Sequence, residues 1–136
     1  MSEQYISLIK EGYACFQNGD IPGLLNLFTD DIEWTTPNVD NAFFGGTING
    51  RDTVGEFFTK LAETEDYSIF EPQEFIASGD KVVVIGTSKA TVLETGRDFN
   101  TDWVHIFTIR DSKVSNFLEF FDTAAVNRAF QKAITA

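Results

Sequence analysis

Apolar side chains recur at helical spacing near the start of the chain, where Ile6, Ile9, Tyr13 and Phe16 share one face of a predicted helix. Ser2 is placed to cap its start, and Gly19 in Gln-Asn-Gly-Asp to end it. Asp20 then caps a second, short helix that tolerates Pro22 in its first turn and takes its apolar face from Leu24, Leu25, Leu27 and Phe28. The alternation from Ile32 to Thr36 predicts a strand with Ile32 and Trp34 on one side and Glu33 on the other. Residues 37–50 are loop-like, although Phe43 and Phe44 are apolar for a loop and read as packing or as a lid. A third helix is predicted from Arg51 to Thr64 on the spacing of Val54, Phe57, Phe58 and Leu61. From Tyr67 the period switches to two. It predicts strands over 67–78, 81–93, 98–110 and 113–121, separated by Gly79-Asp80, Thr95-Gly96 and Asp111-Ser112. Thr123 to Ile134 closes the chain as a helix capped by Asp122 or Thr123. Helices first and long strands afterwards predict an α+β fold, one domain over residues 1–136, with helices packed on one face of a curved antiparallel sheet.

The last two strands, around the turn at Asp111-Ser112, hold His105, which is the one histidine in the chain. Two registers are open. A three-residue loop, Arg110-Asp111-Ser112, with Ser112 left-handed, sets His105 opposite Phe117 and Trp103 opposite Glu119. Trp103, His105, Phe107, Phe117, Glu119 and Phe121 then share one face, and His105 and Glu119 are diagonal neighbours roughly 7–8 Å apart at the backbone. A two-residue loop, Asp111-Ser112, slips the second strand by one and turns Glu119 to the opposite face. The first register is favoured because it gathers four aromatic rings on one face. In that register a carboxylate and an imidazole sit together in an apolar setting. Desolvation there raises the basicity of a carboxylate and a neighbouring imidazolium lowers it, so either group can serve as acid or base near neutrality. The alternative is a buried hydrogen-bonded pair that serves the fold alone.

Composition narrows the classes. Fourteen of the 136 residues are Phe, enough flat apolar surface to line a core or a cavity. A net charge of −11 opposes binding to nucleic acid or to anionic membranes, and it also serves solubility. With one Cys and one His, neither an internal disulfide nor a zinc site is expected, and no metal or organic cofactor is implied. The amino terminus lacks a basic and an apolar signal region, and no apolar run reaches membrane-spanning length, so a cytoplasmic location is the expectation. There is no nucleophile elbow and no phosphate-binding glycine loop. Asp30-Asp31 and the acidic run of Glu63, Glu65 and Asp66 read as solvated helix ends.

Three blocks carry a resemblance. They are Phe16-Gln-Asn-Gly-Asp-Ile-Pro-Gly-Leu-Leu-Asn-Leu-Phe-Thr-Asp-Asp-Ile-Glu-Trp through Pro37; Gly46 and Gly50 followed by Val54-Gly-Glu-Phe-Phe-Thr-Lys-Leu61; and Trp103-Val-His-Ile-Phe-Thr-Ile-Arg-Asp-Ser-Lys-Val with Phe117-Leu-Glu-Phe-Phe-Asp-Thr-Ala-Ala125. The chain resembles the SnoaL-like branch of the NTF2-like superfamily, which includes polyketide cyclases and relatives of ketosteroid isomerase. The resemblance implies a cone, a curved antiparallel sheet wrapped around three helices, with an apolar cavity inside and an outer face that often pairs with a second copy. It does not carry over the isomerase chemistry. The position of that family's Asp base is Thr36, its tyrosine donor falls at Gly12, next to Tyr13, and its protonated Asp falls at His105. SnoaL-like cyclases match better, with a carboxylate base on the last strand and a histidine on the strand before it, at Glu119 and His105.

The reading that follows makes His105 and Glu119 the catalytic residues. Tyr13, Trp34, Phe58, Trp103, Phe117 and Phe121 line the substrate cavity. Glu119, oriented by His105, is expected to take a proton next to a carbonyl of a flat apolar small molecule, the first step of an isomerase, cyclase or dehydratase. A non-catalytic ligand-binding or protein-interaction module on the same fold is the alternative, and a working outer sheet face is a third. A homodimer through that face is expected, with no nucleic-acid or membrane partner. The role of Asp40 in the 37–50 loop stays open.

Overall fold

Ile9 and Tyr13 are the buried positions of helix α1 (Ser2–Gln17), which packs onto the inner face of the sheet. The computed structural model describes residues 2–132. Helix α1 is already helical at Ser2, and Gly19, with φ +72°, turns the chain out of it. Asp20 caps α2 (Ile21–Leu25) as expected, its Oδ1 accepting the Gly23 N–H at 3.0 Å. Phe28 belongs to strand β1 (Phe28–Thr36) and not to α2, since the short helix stops before it. Inside the stretch expected to be loop, Gly46–Asn49 forms β2, a short antiparallel partner of β1. Helix α3 (Arg51–Thr64) has the expected bounds. Strands β3 (Glu65–Ser78), β4 (Lys81–Val92), β5 (Arg97–Arg110) and β6 (Lys113–Phe121) follow, then α4 (Thr123–Phe130). Asp122 caps α4 through the Ala125 N–H, and the helix ends at Phe130; the expected end at Ile134 lies outside the described residues.

The sheet order is β2-β1-β6-β5-β4-β3. The expected all-antiparallel sheet is in fact mixed, because β1 runs parallel to β6, with Trp34 beside Phe117. Its inner face wraps α1, α2 and α3, and the largest cluster of buried side chains lies between them. A smaller cluster, around Val92, Phe99, Val126 and Phe130, sits under α4 and shares Tyr67 and Phe121 with the first. Phe43 and Phe44 are half-buried packing residues, with Phe43 against Phe57 and Phe44 against Phe130. Among the described residues no helix is long and apolar enough to cross a membrane.

The β5–β6 hairpin corrects the favoured register. Asp111 and Ser112 both have positive φ, +52° and +62°, as a two-residue type I′ loop requires, and Arg110 pairs with Lys113. That loop alone would turn Glu119 outward. A β-bulge intervenes: Ile109 pairs with Val114 but Thr108 pairs with Asn116, so Ser115 is an extra residue on β6. The added residue restores the phase. His105 lies directly opposite Glu119, not Phe117, and Trp103 opposite Phe121.

Candidate active site

Along β5 the inward positions are Trp103, His105 and Phe107, and along β6 they are Phe117, Glu119 and Phe121. The alternation of side chains in a strand gathers these six on the concave face, so the face grouping expected from sequence is present although the pairing differs. His105 is only 5% exposed and is held at both ring nitrogens. The Tyr13 hydroxyl stands 2.8 Å from Nδ1, and Glu119 Oε2 stands 2.8 Å from Nε2. The Trp103 ring stacks on the imidazole at 3.9 Å, and Phe117 meets it edge-on at 4.8 Å.

The hydrogens of this series can be placed from chemistry. Burial, with the charge of Glu119 adding to it, pushes the Tyr13 phenol well above its ordinary range, so it keeps its proton. The arrangement that uses every polar hydrogen has Tyr13 O–H donating to Nδ1 and Nε2–H donating to Glu119. The ring is then held at both nitrogens and its orientation is fixed. No hydrogen bond among the described residues takes the other carboxylate oxygen, Oε1, and the Glu119 side chain is 20% exposed.

A hollow of about 110 Å³ lies between this wall and the helices, and every residue expected at the site borders it. Trp34 stacks on Phe117 at 3.7 Å and meets Phe58 edge-on at 5.2 Å, which closes one side. On the other side Trp103 lies over Gly86 and donates its Nε1–H to Ser88 Oγ at 2.7 Å. Asp40 is exposed and does not border the hollow. Thr36 is buried and borders a second hollow of about 140 Å³, beneath Phe43 and Phe44. Among the described residues no group of three His, Cys, Asp or Glu side chains stands together as metal ligands do.

Four polar residues of the cavity, Glu65, Tyr67, Ser88 and Thr101, were not expected there. Glu65, read from sequence as part of a solvated helix end, is 6% exposed and borders the hollow with Tyr67. The Tyr67 hydroxyl donates to Glu65 Oε1 at 3.1 Å, and Oε2 is buried with no partner. Burial raises the Glu65 carboxyl to about 7 against the opposing pull of the Tyr67 hydrogen bond, and the charge of Glu119 adds to the rise. The reason for the misreading is local. Helix α3 ends at Thr64 and β3 begins at Glu65 with no connecting residue, so Glu65 is the first inward position of a strand. The cue available in sequence was the period-two phase of Tyr67 extended back by two residues.

The profile of the SnoaL-like domain matches residues 9–117. The chain belongs to that family. The match takes in Tyr13, Glu65 and His105 and ends two residues before Glu119. Among solved structures, an NTF2-like protein from Burkholderia xenovorans is 34% identical, with a TM-score of 0.87 over 96% of this chain and 98% of that one. An NTF2-like protein of unknown function from Burkholderia pseudomallei is 31% identical, with a TM-score of 0.83 over 96% and 99%. TerC, solved with polyporic acid, is 34% identical, with a TM-score of 0.81 over 93% and 98%. No curated protein matches the chain. The SnoaL-like, NTF2-like assignment and the cone-shaped α+β fold read from the sequence blocks agree with these likenesses.

Proposed function

We propose that this SnoaL-like protein is a small-molecule enzyme in which Glu119 removes a proton next to the carbonyl of a flat, apolar compound. The observation that carries this reading is the series Tyr13–His105–Glu119, hydrogen-bonded throughout at 2.8 Å, in the wall of an aromatic hollow. His105 holds one oxygen of the carboxylate and leaves Oε1 to act. Tyr13 holds the imidazole from behind, so the base is oriented before substrate arrives. In the step itself the α C–H proton goes to Oε1, and its electron pair passes to the carbonyl oxygen as an enolate. Isomerisation, aldol cyclisation and loss of water all begin this way. TerC, co-crystallised with polyporic acid, supports a small organic ligand for a cavity on this fold. The hollow here, about 110 Å³, is nearer in size to a cavity of roughly 150 Å³ that takes benzene, which favours a one-ring compound.

Cyclohex-3-enone in D₂O tests the reading, because its α-protons exchange before it rearranges to the conjugated enone. The protein should accelerate that exchange, followed by proton NMR, and Glu119→Gln should slow it by about 100-fold or more. His105→Gln should slow it as well. Exchange unaffected by either change would make the cavity a ligand-binding module without catalysis.

The outer face of the sheet supports a separate proposal, a homodimer through that face. Val83, Ile85, Val104, Ile106, Leu118 and Phe120 point away from the helices, and the strand pairings make them one contiguous patch. Phe120 is 53% exposed there. A face this apolar marks an interaction surface.

A further inference from the structure

A buried carboxyl oxygen without a partner beside a cavity needs an explanation, because leaving such a group unsatisfied costs about 1–3 kcal/mol. Glu65 is fixed from several sides. Its backbone N–H closes α3 on Leu61, and its neighbour Thr64 accepts the Leu93 N–H at 2.9 Å. Across the sheet Glu65 pairs with Val92, so the side chain is turned inward. Tyr67 has one O–H and gives it to Oε1, which leaves Oε2 over. The carboxyl is also close enough to Glu119 to feel its charge. The hollow is thus bordered by two carboxyl groups in different settings: Glu119, accepting from an imidazole N–H, and Glu65, enclosed and held at one oxygen by a phenol.

We propose that Glu65 is a second catalytic residue of the cavity: as a carboxylic acid it donates from Oε2 to the carbonyl oxygen of the substrate whose α-proton Glu119 takes. The proposal rests on the proton-abstraction reading above and adds the acid that reading lacks. Two carboxyl groups in different surroundings on one cavity, one held by an imidazole N–H and one enclosed with an oxygen left over, are the arrangement from which an acid and a base can be drawn at one pH. The step balances. The C–H proton passes to Glu119, the electron pair of that bond moves to the carbonyl oxygen, and that oxygen takes the Glu65 proton. The products are an enol, a neutral Glu119 and a Glu65 carboxylate that keeps the Tyr67 hydrogen bond. For an isomerisation, Glu119 returns its proton to the distal carbon while the enol O–H returns its own to Glu65, and both residues are restored.

The probe is cyclohex-2-enone labelled with ¹³C at the carbonyl, which carries the oxygen but lacks the reactive proton between carbonyl and alkene. A carboxylic acid donating to that oxygen moves the bound carbonyl resonance downfield. The wild-type protein should show the downfield shift, Glu65→Leu should lose it, and Glu65→Gln, which keeps the shape and donates more weakly, should retain a fraction. Exchange of cyclohex-3-enone should fall about tenfold in Glu65→Gln and about 100-fold in Glu65→Leu. A carbonyl shift unchanged in Glu65→Leu, or in Glu65→Gln together with unchanged exchange, overturns the proposal. Glu119→Gln separates the two readings. It should abolish exchange and keep the carbonyl shift, so a failed base leaves the shift standing and a failed acid leaves the exchange standing. Absence of saturable binding of the probe counts against both.

Discussion

Glu65 and Glu119 bring the same side chain to the same cavity and meet different surroundings there. The consequence is measurable without any ligand. A carboxyl at 4.5 in the unfolded chain and about 7 in the folded one holds its proton longer folded than unfolded between those values. Protonation is then favoured in the folded state, so this contribution to stability is fully present below 4.5 and is lost as pH rises to 7 and above. The loss is about 3 kcal/mol across that window. Glu65→Gln has no proton to lose. In urea unfolding between pH 4.5 and 8, the wild-type protein should lose about 2–3 kcal/mol more than the variant does. Tyr67 and Glu119, the groups that face Glu65, are common to both proteins and cancel in the comparison. Parallel pH profiles would show that Glu65 ionises in its ordinary range. At this scale the sequence is informative about His105 and Glu119, because each stands alone as an ionisable group among the apolar positions of its strand face. It misleads on Glu65, because a carboxylate in an acidic run looks solvated until the strand that follows is given its phase.

At the scale of the element, the site depends on one inserted residue. Asp111 and Ser112 form a two-residue loop, and only the bulge at Ser115 brings Glu119 back to the face of His105. Sequence alternation identified the members of that face, since any arrangement with Trp103, His105, Phe117 and Phe121 inward buries the aromatic rings. It did not identify the bulge, because the change of phase it makes in β6, where Val114 and Ser115 are both buried ahead of Phe117, is confined to the residues next to the turn. Deleting Ser115 therefore gives a specific expectation. Val114 and Asn116 become neighbours, and the pairs Ile109–Val114, Thr108–Asn116 and His105–Glu119 can all persist around the two-residue loop as a regular ladder. The deletion variant should stay folded by circular dichroism, change in stability by about 1 kcal/mol and keep its exchange of cyclohex-3-enone. Loss of exchange in a folded deletion variant would mean that the bend and twist of the bulge, and not the register alone, hold Glu119 against His105.

For the whole molecule, the pairing that alternation could not reveal is β1 with β6, parallel strands from opposite ends of the chain. It sets Trp34 against Phe117 and closes the cone, and among the described residues no helix covers the convex face of β3 to β6. There Ile76, Val83, Ile106 and Leu118 fall in one row across four strands, with Ile85, Val104 and Phe120 in the next. A second copy packed on this face would bury both rows, but each copy carries a net charge of −11. Association is thus a contest between apolar burial and repulsion that acts over a Debye length of about 10 Å at 0.1 M salt. Sedimentation equilibrium should find a dimer that tightens as salt is raised from 0.02 to 0.5 M, on the order of tenfold, because screening removes the opposing term and leaves the apolar one. Val104→Asp with Ile106→Asp should give a monomer with an unchanged far-ultraviolet spectrum, since both positions are outward and outside the core. Exchange of cyclohex-3-enone should persist in that monomer, because Tyr13, His105, Glu119 and Glu65 all belong to one chain and face the other side of the sheet. A protein monomeric at every concentration and salt would remove the dimer and leave the cavity readings intact. A monomeric variant without exchange would show instead that pairing on the convex face holds the concave wall in shape.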